Sequence, residues 1–240
     1  MLSELDHVRR FLASTDDLFA DRRVPLPFGA ALFYDPLPLV WDLNFVRVER
    51  EAALDVVLAE TELVQAGLAH RKVKTPFEPR AVPPRWKTTS LLVMVHRGPA
   101  PKADARVEEV DAEALRSSWE ASGDQDAETV RQLVAARFLR DARTGVRYFA
   151  ARVDGRYVSD CTLFFDGATG EVDSVGTMEA YRGRGLAKGV VGRAVSEARQ
   201  AGHDLVFLLA EENDWPKELY RKLGFEEVGR VWELLREPQP

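Results

Sequence analysis

The chain has 240 residues and a net charge of −6, from 33 Lys and Arg against 39 Asp and Glu. That length fits one large domain or two smaller ones, and the acidic balance argues against a generic nucleic-acid binder, which would be basic. The charge is uneven: residues 1–100 hold 13 cations and 13 anions, residues 101–240 hold 20 and 26, so the second half is suited to cationic substrates such as amines.

The start, Met1 to Asp6, is acidic and lacks the basic and apolar pattern of a secretory leader. No apolar run approaches the ~20 residues that span a bilayer. A cytoplasmic protein without a membrane partner is expected. Pro25, Pro27, Pro36 and Pro38 exclude a regular helix over 21–39. Phe45 to Val48 alternates like a strand. Glu51 to Ala66 is amphipathic, and Gly67 is a plausible stop. His70 to Lys74 and Ser90 to Val95 read as strands, which makes 1–100 a small α/β unit. Gly98-Pro99-Ala100-Pro101-Lys102-Ala103-Asp104 reads as an interdomain linker.

Beyond it the pattern sharpens. Val107 to Val110 predicts a strand, and Asp111 to Ser122 and Ala127 to Asp141 predict helices. Tyr148 to Val153 and Tyr157 to Phe165 predict a hairpin closed at Asp154-Gly155. Glu171 to Met178 is a third strand. A helix over Leu186 to Ala201, a strand over Leu205 to Ala210, a short helix over Trp215 to Leu223 and a strand over Phe225 to Leu235 complete the chain. The lone Cys161 lies in an apolar run and reads as a small core residue. His7, His70, His96 and His203 have no metal-ligand spacing, so no metal site is expected; His203 reads as a solvated turn residue and Trp215 as packing.

Between the third strand and the long helix stands Arg182-Gly183-Arg184-Gly185-Leu186-Ala187-Lys188. A helix start offers unpaired N–H groups and the positive end of its dipole, and glycine lets the backbone approach a phosphate closely. A dinucleotide turn would need G-x-G-x-x-G in a parallel βαβ unit, but hairpins precede this one.

Here the sequence resembles the GCN5-related N-acetyltransferase (GNAT) superfamily, as found in bacterial, actinobacterial-type members. Its pyrophosphate motif, Gln/Arg-x-x-Gly-x-Gly/Ala, is matched by Arg182 to Ala187, with Tyr181 before it. About 30 residues on, Asn213 to Tyr220, then Arg221-Lys222-Leu223-Gly224-Phe225, is similar to the family's Asn-x6-Tyr and basic-Leu-Gly-Phe ending. The resemblance covers residues 105–237. It implies an α/β (α+β) GNAT fold, a mixed, mostly antiparallel sheet flanked by helices. It leaves 1–100 as a smaller α/β domain of unknown role, readable as a degenerate GNAT half. The implied activity is direct transfer of acetyl from acetyl-CoA to a primary amine of a small molecule, peptide or protein. A non-catalytic acyl-CoA-binding module is the alternative, and a homodimer is compatible with either. The resemblance further implies that the coenzyme lies between the strands 171–178 and 205–210. Val175, Gly176, Thr177, Asn213 and the turn Arg182 to Lys188 would hold it. Tyr220 would protonate the thiolate, Glu171 or Asp173 would be the base, and an N–H of Val175 or Thr177 would hold the oxyanion.

Overall fold

The computed structural model describes residues 2–102, 104–121 and 125–238. Helix α1 (Glu4–Phe19) starts at a capping box, in which the Asp6 N–H donates to Ser3 Oγ and Ser3 N–H to the Asp6 carboxylate. Strands β1 (Arg22–Leu26) and β2 (Gly29–Phe33) form a hairpin, followed by β3 (Phe45–Val48), α2 (Leu54–Val64), β4 (Arg71–Thr75) and β5 (Lys87–His96). The remainder is β6 (Val107–Val110), α3 (Ala112–Ala121), α4 (Ala127–Arg143), β7 (Val146–Val153), β8 (Arg156–Asp166), β9 (Thr169–Thr177), α5 (Leu186–Gln200), β10 (Leu205–Glu211), α6 (Pro216–Lys222) and β11 (Phe225–Arg236).

All eleven strands join one sheet in the order β1-β2-β3-β4-β11-β5-β10-β9-β8-β7-β6. Among the described residues its only parallel pairs are β3 with β4 and β9 with β10. Strands from before and after residues 98–104 interleave at the centre, where β5 lies between β11 and β10. Pro101 and Asp104 lie against α5. A Cβ on Gly189 would come within 2.8 Å of Asp104, and one on Gly192 within 3.1 Å of Pro101. Both helix positions must therefore be small.

The sheet is covered on both faces. Alternation along β7 sends Phe149 and Ala151 into a core with Val190, Val191, Ala194 and Val195 of α5, and Tyr148 and Ala150 toward Leu115 and Trp119 of α3 and Val134 of α4. Val8 and Phe11 of α1 share the α4 side with Val93, Val95 and Phe207. Helix α1 thereby roofs the central strands next to α4, above the point where β9 and β10 part. Each of these fully buried Val and Leu side chains contributes roughly 1.5–3 kcal/mol.

The hairpin turn Asp154-Gly155 has φ 50° and 81°, as the dipeptide requires. Cys161 is fully buried. Among the described residues no helix is long and apolar enough to cross a membrane, and no cluster of metal-ligating side chains occurs.

Candidate active site

Strand β9 pairs with β8 along its length but with β10 only as far as Glu171, opposite Phe207. The reason is a bulge. Asp160 faces Gly176 and Thr162 faces Asp173, so β9 carries one extra residue there. Ser174 takes up the excess with φ 53°, a left-handed conformation that costs a non-glycine residue roughly 1–2 kcal/mol. The bulge bends β9 away from β10. Ser159 Oγ donates to Gly176 O at 2.7 Å and contacts Thr177 Oγ1 at 2.8 Å, which fixes the end of the bent strand to β8. The β10-facing edge through Val175, Gly176 and Thr177 is left without a strand neighbour.

The turn follows after a short 3-10 turn over Glu179–Tyr181. Gly183 and Gly185 have φ 77° and 75°, so the conformation itself calls for glycine. Gly185 is the N-cap of α5 and supplies no side-chain cap, and the first helical bond runs from Gly189 N–H to Gly185 O. The N–H groups of Leu186, Ala187 and Lys188 therefore lack intrahelical partners and face outward with the positive end of the dipole. Arg182 Nε donates to Thr177 O at 3.3 Å, tying the turn to β9, and Arg184 lies over the Tyr181 ring at 5.0 Å. Uncapped N–H groups, open glycines and exposed cations fit a pyrophosphate.

Across the parting stands α6, which starts with Pro216 in its first turn. It buries Tyr220 edge-on against Phe225 at 6.1 Å. Burial pushes the phenol up to about 12, helped by Cys161, Asp173 and Asp214. Tyr220 thus stays a proton donor at neutral pH. Asn213 is exposed in the loop after β10.

On the α1/α4 side, Glu171, Asp173 and Ser174 line a cavity of about 430 Å³. Glu171 is only 7% exposed, and burial raises its carboxyl well above the usual range; the charge of Asp173 adds to the shift, while Lys74 and Arg140 oppose it. Glu171 and Asp173, two residues apart on β9, stand on one wall. The opposite walls come from segments in which the sequence shows no chemical motif: Asp16 of α1, Asp42, Lys74 of β4 and Arg140 of α4. Lys74 Nζ lies 3.4 Å from Asp16 and 3.7 Å from Asp42; Lys72 Nζ takes Asp42 at 2.5 Å and Glu233 at 2.8 Å. Residues on both sides of the proline-rich segment build one chamber.

Two expectations fail. His203 is buried rather than solvated: Gly202, at φ 85°, turns it inward, Nδ1 lies 2.8 Å from Gly167 O, and the ring packs on Phe165 at 5.3 Å. Trp215 is 66% exposed rather than packed, because it precedes α6 at the rim.

Residues 107–225 match the acetyltransferase (GNAT) family. No curated protein matches the sequence significantly. Solved structures share the fold over nearly the whole chain. A functionally unknown conserved protein from Staphylococcus epidermidis has a TM-score of 0.69 at 15% identity, covering 93% of this chain and 97% of its own. A GCN5-related N-acetyltransferase from Kribbella flavida has 0.64 at 17%, covering 96% and 95%. A putative GNAT-family acetyltransferase from Novosphingobium aromaticivorans has 0.59 at 20%, covering 90% and 92%.

Proposed function

We propose, for a chain whose residues 107–225 belong to the acetyltransferase (GNAT) family, that it transfers acetyl from acetyl-CoA to a primary amine of a small molecule or peptide. The observation that carries this reading is the parting of β9 from β10 beside the uncapped start of α5. In this reading the N–H groups of Leu186, Ala187 and Lys188 bind the pyrophosphate, with Arg182, Gly183, Arg184 and Gly185 forming the turn. The free edge at Val175, Gly176 and Thr177 pairs with the pantetheine arm as an added strand would, and Asn213 borders the arm from the β10 side. The carbonyl comes to rest at the bulge, where an N–H of Val175 or Thr177 holds its oxygen as charge develops.

The acceptor amine enters from the opposite face. Glu171, next to Asp173, accepts a proton from it; a carboxyl raised by burial is a stronger base than an ordinary one. The amine lone pair then bonds to the carbonyl carbon and the C–S bond breaks. Tyr220 gives its proton to the departing sulfur, and the second proton on the acylated nitrogen is released and restores the phenol, leaving an acetamide and the free thiol. Asp173 is the second candidate for the base.

Residues 1–100 read as a degenerate half-copy. Strand β3, helix α2 and parallel strand β4 repeat the step β9, α5, β10, and β5 and β11 occupy equivalent places about the sheet centre. The corresponding turn, Glu49-Arg50-Glu51-Ala52-Ala53, is acidic and has no glycine, so this half has no phosphate site and serves to wall the acceptor chamber.

Isothermal titration with acetyl-CoA and a thiol-release assay over an amine panel test the reading. Saturable binding with turnover is expected. Failure to bind acetyl-CoA would overturn it, and binding without turnover of any amine would leave only the module.

A further inference from the structure

A second cavity, of about 480 Å³, adjoins the chamber and shares Asp42, Arg140 and Ser174 with it. It adds Arg137, one turn before Arg140 on α4, and both guanidinium groups are poorly compensated. Arg137 stacks on Trp119 at 4.6 Å; among the described residues its buried Nη1 makes no hydrogen bond, and the one carboxylate oxygen within 4 Å, on Asp160, is 3.9 Å away. That carboxylate already accepts the Trp119 indole N–H at 3.0 Å. Arg140 lies over Phe19 and Phe164, its buried Nε has no partner, and no ion pair reaches it among the described residues.

The opposite wall mirrors this. Glu171 makes no hydrogen bond or ion pair among the described residues, and Asp173 accepts only from the neighbouring Ser174 hydroxyl. Of the other chamber acids, Asp42 is engaged by Lys72 and Lys74, Asp16 by Lys74 and Arg47, and Glu233 by Lys72, while Glu211 stands at the exposed end of β10, where water can solvate it. Uncompensated buried charge is costly, and here the two signs stand apart across open space.

We infer that the acceptor is a small zwitterion of the amino-acid type, its ammonium held at Glu171 and Asp173 and its anionic group at Arg137 and Arg140. The inference rests on the acetyl-transfer reading of the same site.

The full chain is titrated calorimetrically, with and without coenzyme A. The probes are L-leucine, L-phenylalanine and L-lysine, each beside its decarboxylated amine, and O-phosphoethanolamine beside ethanolamine. A charge-assisted anion contact predicts that an anionic member binds about 10- to 100-fold tighter than its counterpart. A carboxylate preference identifies an amino acid, and a preference for O-phosphoethanolamine alone identifies a phosphate as the anion. The preference should collapse in Arg140→Gln and return in Arg140→Lys. If Arg140→Gln does not fold, Arg137→Gln is read in the same ratio. Equal or tighter binding of the plain amines, no binding by any anionic probe, or an unchanged preference in the variant overturns the inference. Loss of acetyl-CoA binding would be the failure of the parent reading instead.

Discussion

Replacing Gly185 by alanine separates backbone cost from ligand contact. Gly185 has φ 75°, and an added Cβ would meet nothing within 4 Å beyond its own chain neighbours. The loss of fold stability is therefore conformational only, roughly 1–2 kcal/mol for a non-glycine residue in the left-handed region. At about 2–4 °C per kcal/mol for a chain of this size, the melting temperature should fall by about 2–8 °C. Gly155, in the β7–β8 hairpin, has φ 81° and equally open surroundings, so Gly155→Ala should cost about the same. The two variants differ in what the new methyl group faces. At Gly185 it meets the pyrophosphate, and acetyl-CoA affinity measured by titration should drop at least about tenfold, or more than about 1.4 kcal/mol. At Gly155 affinity should not change. A Gly185→Ala protein that binds within about twofold of wild type, or a Gly155→Ala protein that loses as much, would refute the reasoning.

Tyr220→Phe should slow turnover while leaving acetyl-CoA affinity intact, because no hydrogen bond to the Tyr220 hydroxyl is present among the described residues; wild-type turnover would remove its acid role. Glu171 has its carboxyl raised by burial in the folded state, so its stabilising contribution is complete below the ordinary value of 4.5 and is lost as pH rises through the folded one. Glu171→Gln should accordingly melt at a temperature that pulls ahead of wild type as pH rises above 4.5, and a pH-independent gap would contradict this. Wild-type kcat/KM should fall as pH drops through the same raised value, and the variant should lose that limb. Ser174→Val should cost at least about 1 kcal/mol in denaturant titration, because a β-branched residue resists φ 53°, whereas Ser174→Gly should be neutral or stabilising; a well-tolerated valine would argue against the strained bulge.

The second half was legible because its signals are local. Asp154-Gly155 and the Gly-rich turn name their own backbone conformations, and alternation places Glu171 and Asp173 on one wall. The first half hid two elements. Helix α1 carries its apolar stripe, Val8, Phe11 and Phe19, among many charges. The β1–β2 hairpin lies in the proline-rich stretch, where Pro25 is tolerated because β1 is an edge strand. The insertion of β5 between β10 and β11 has no local signature, since strand partners far apart in sequence are chosen by the assembled core. For the same reason the residues of the first hundred that complete the chamber, Asp16, Asp42 and Lys74, could not be read as site residues; nothing in their own neighbourhoods marks them. Arg137 and Arg140 sit within a helix the sequence predicts, but only the packing against Trp119, Phe19 and Phe164 shows that their charges are poorly compensated.

A crystal structure of the chain with acetyl-CoA tests the central claim most directly. The account predicts the pyrophosphate on the N–H groups of Leu186 to Lys188, the arm along Val175 to Thr177, and the acetyl group at the bulge facing the chamber of Glu171 and Asp173. A coenzyme bound outside the parting of β9 and β10, or an acetyl group turned away from that chamber, would contradict it.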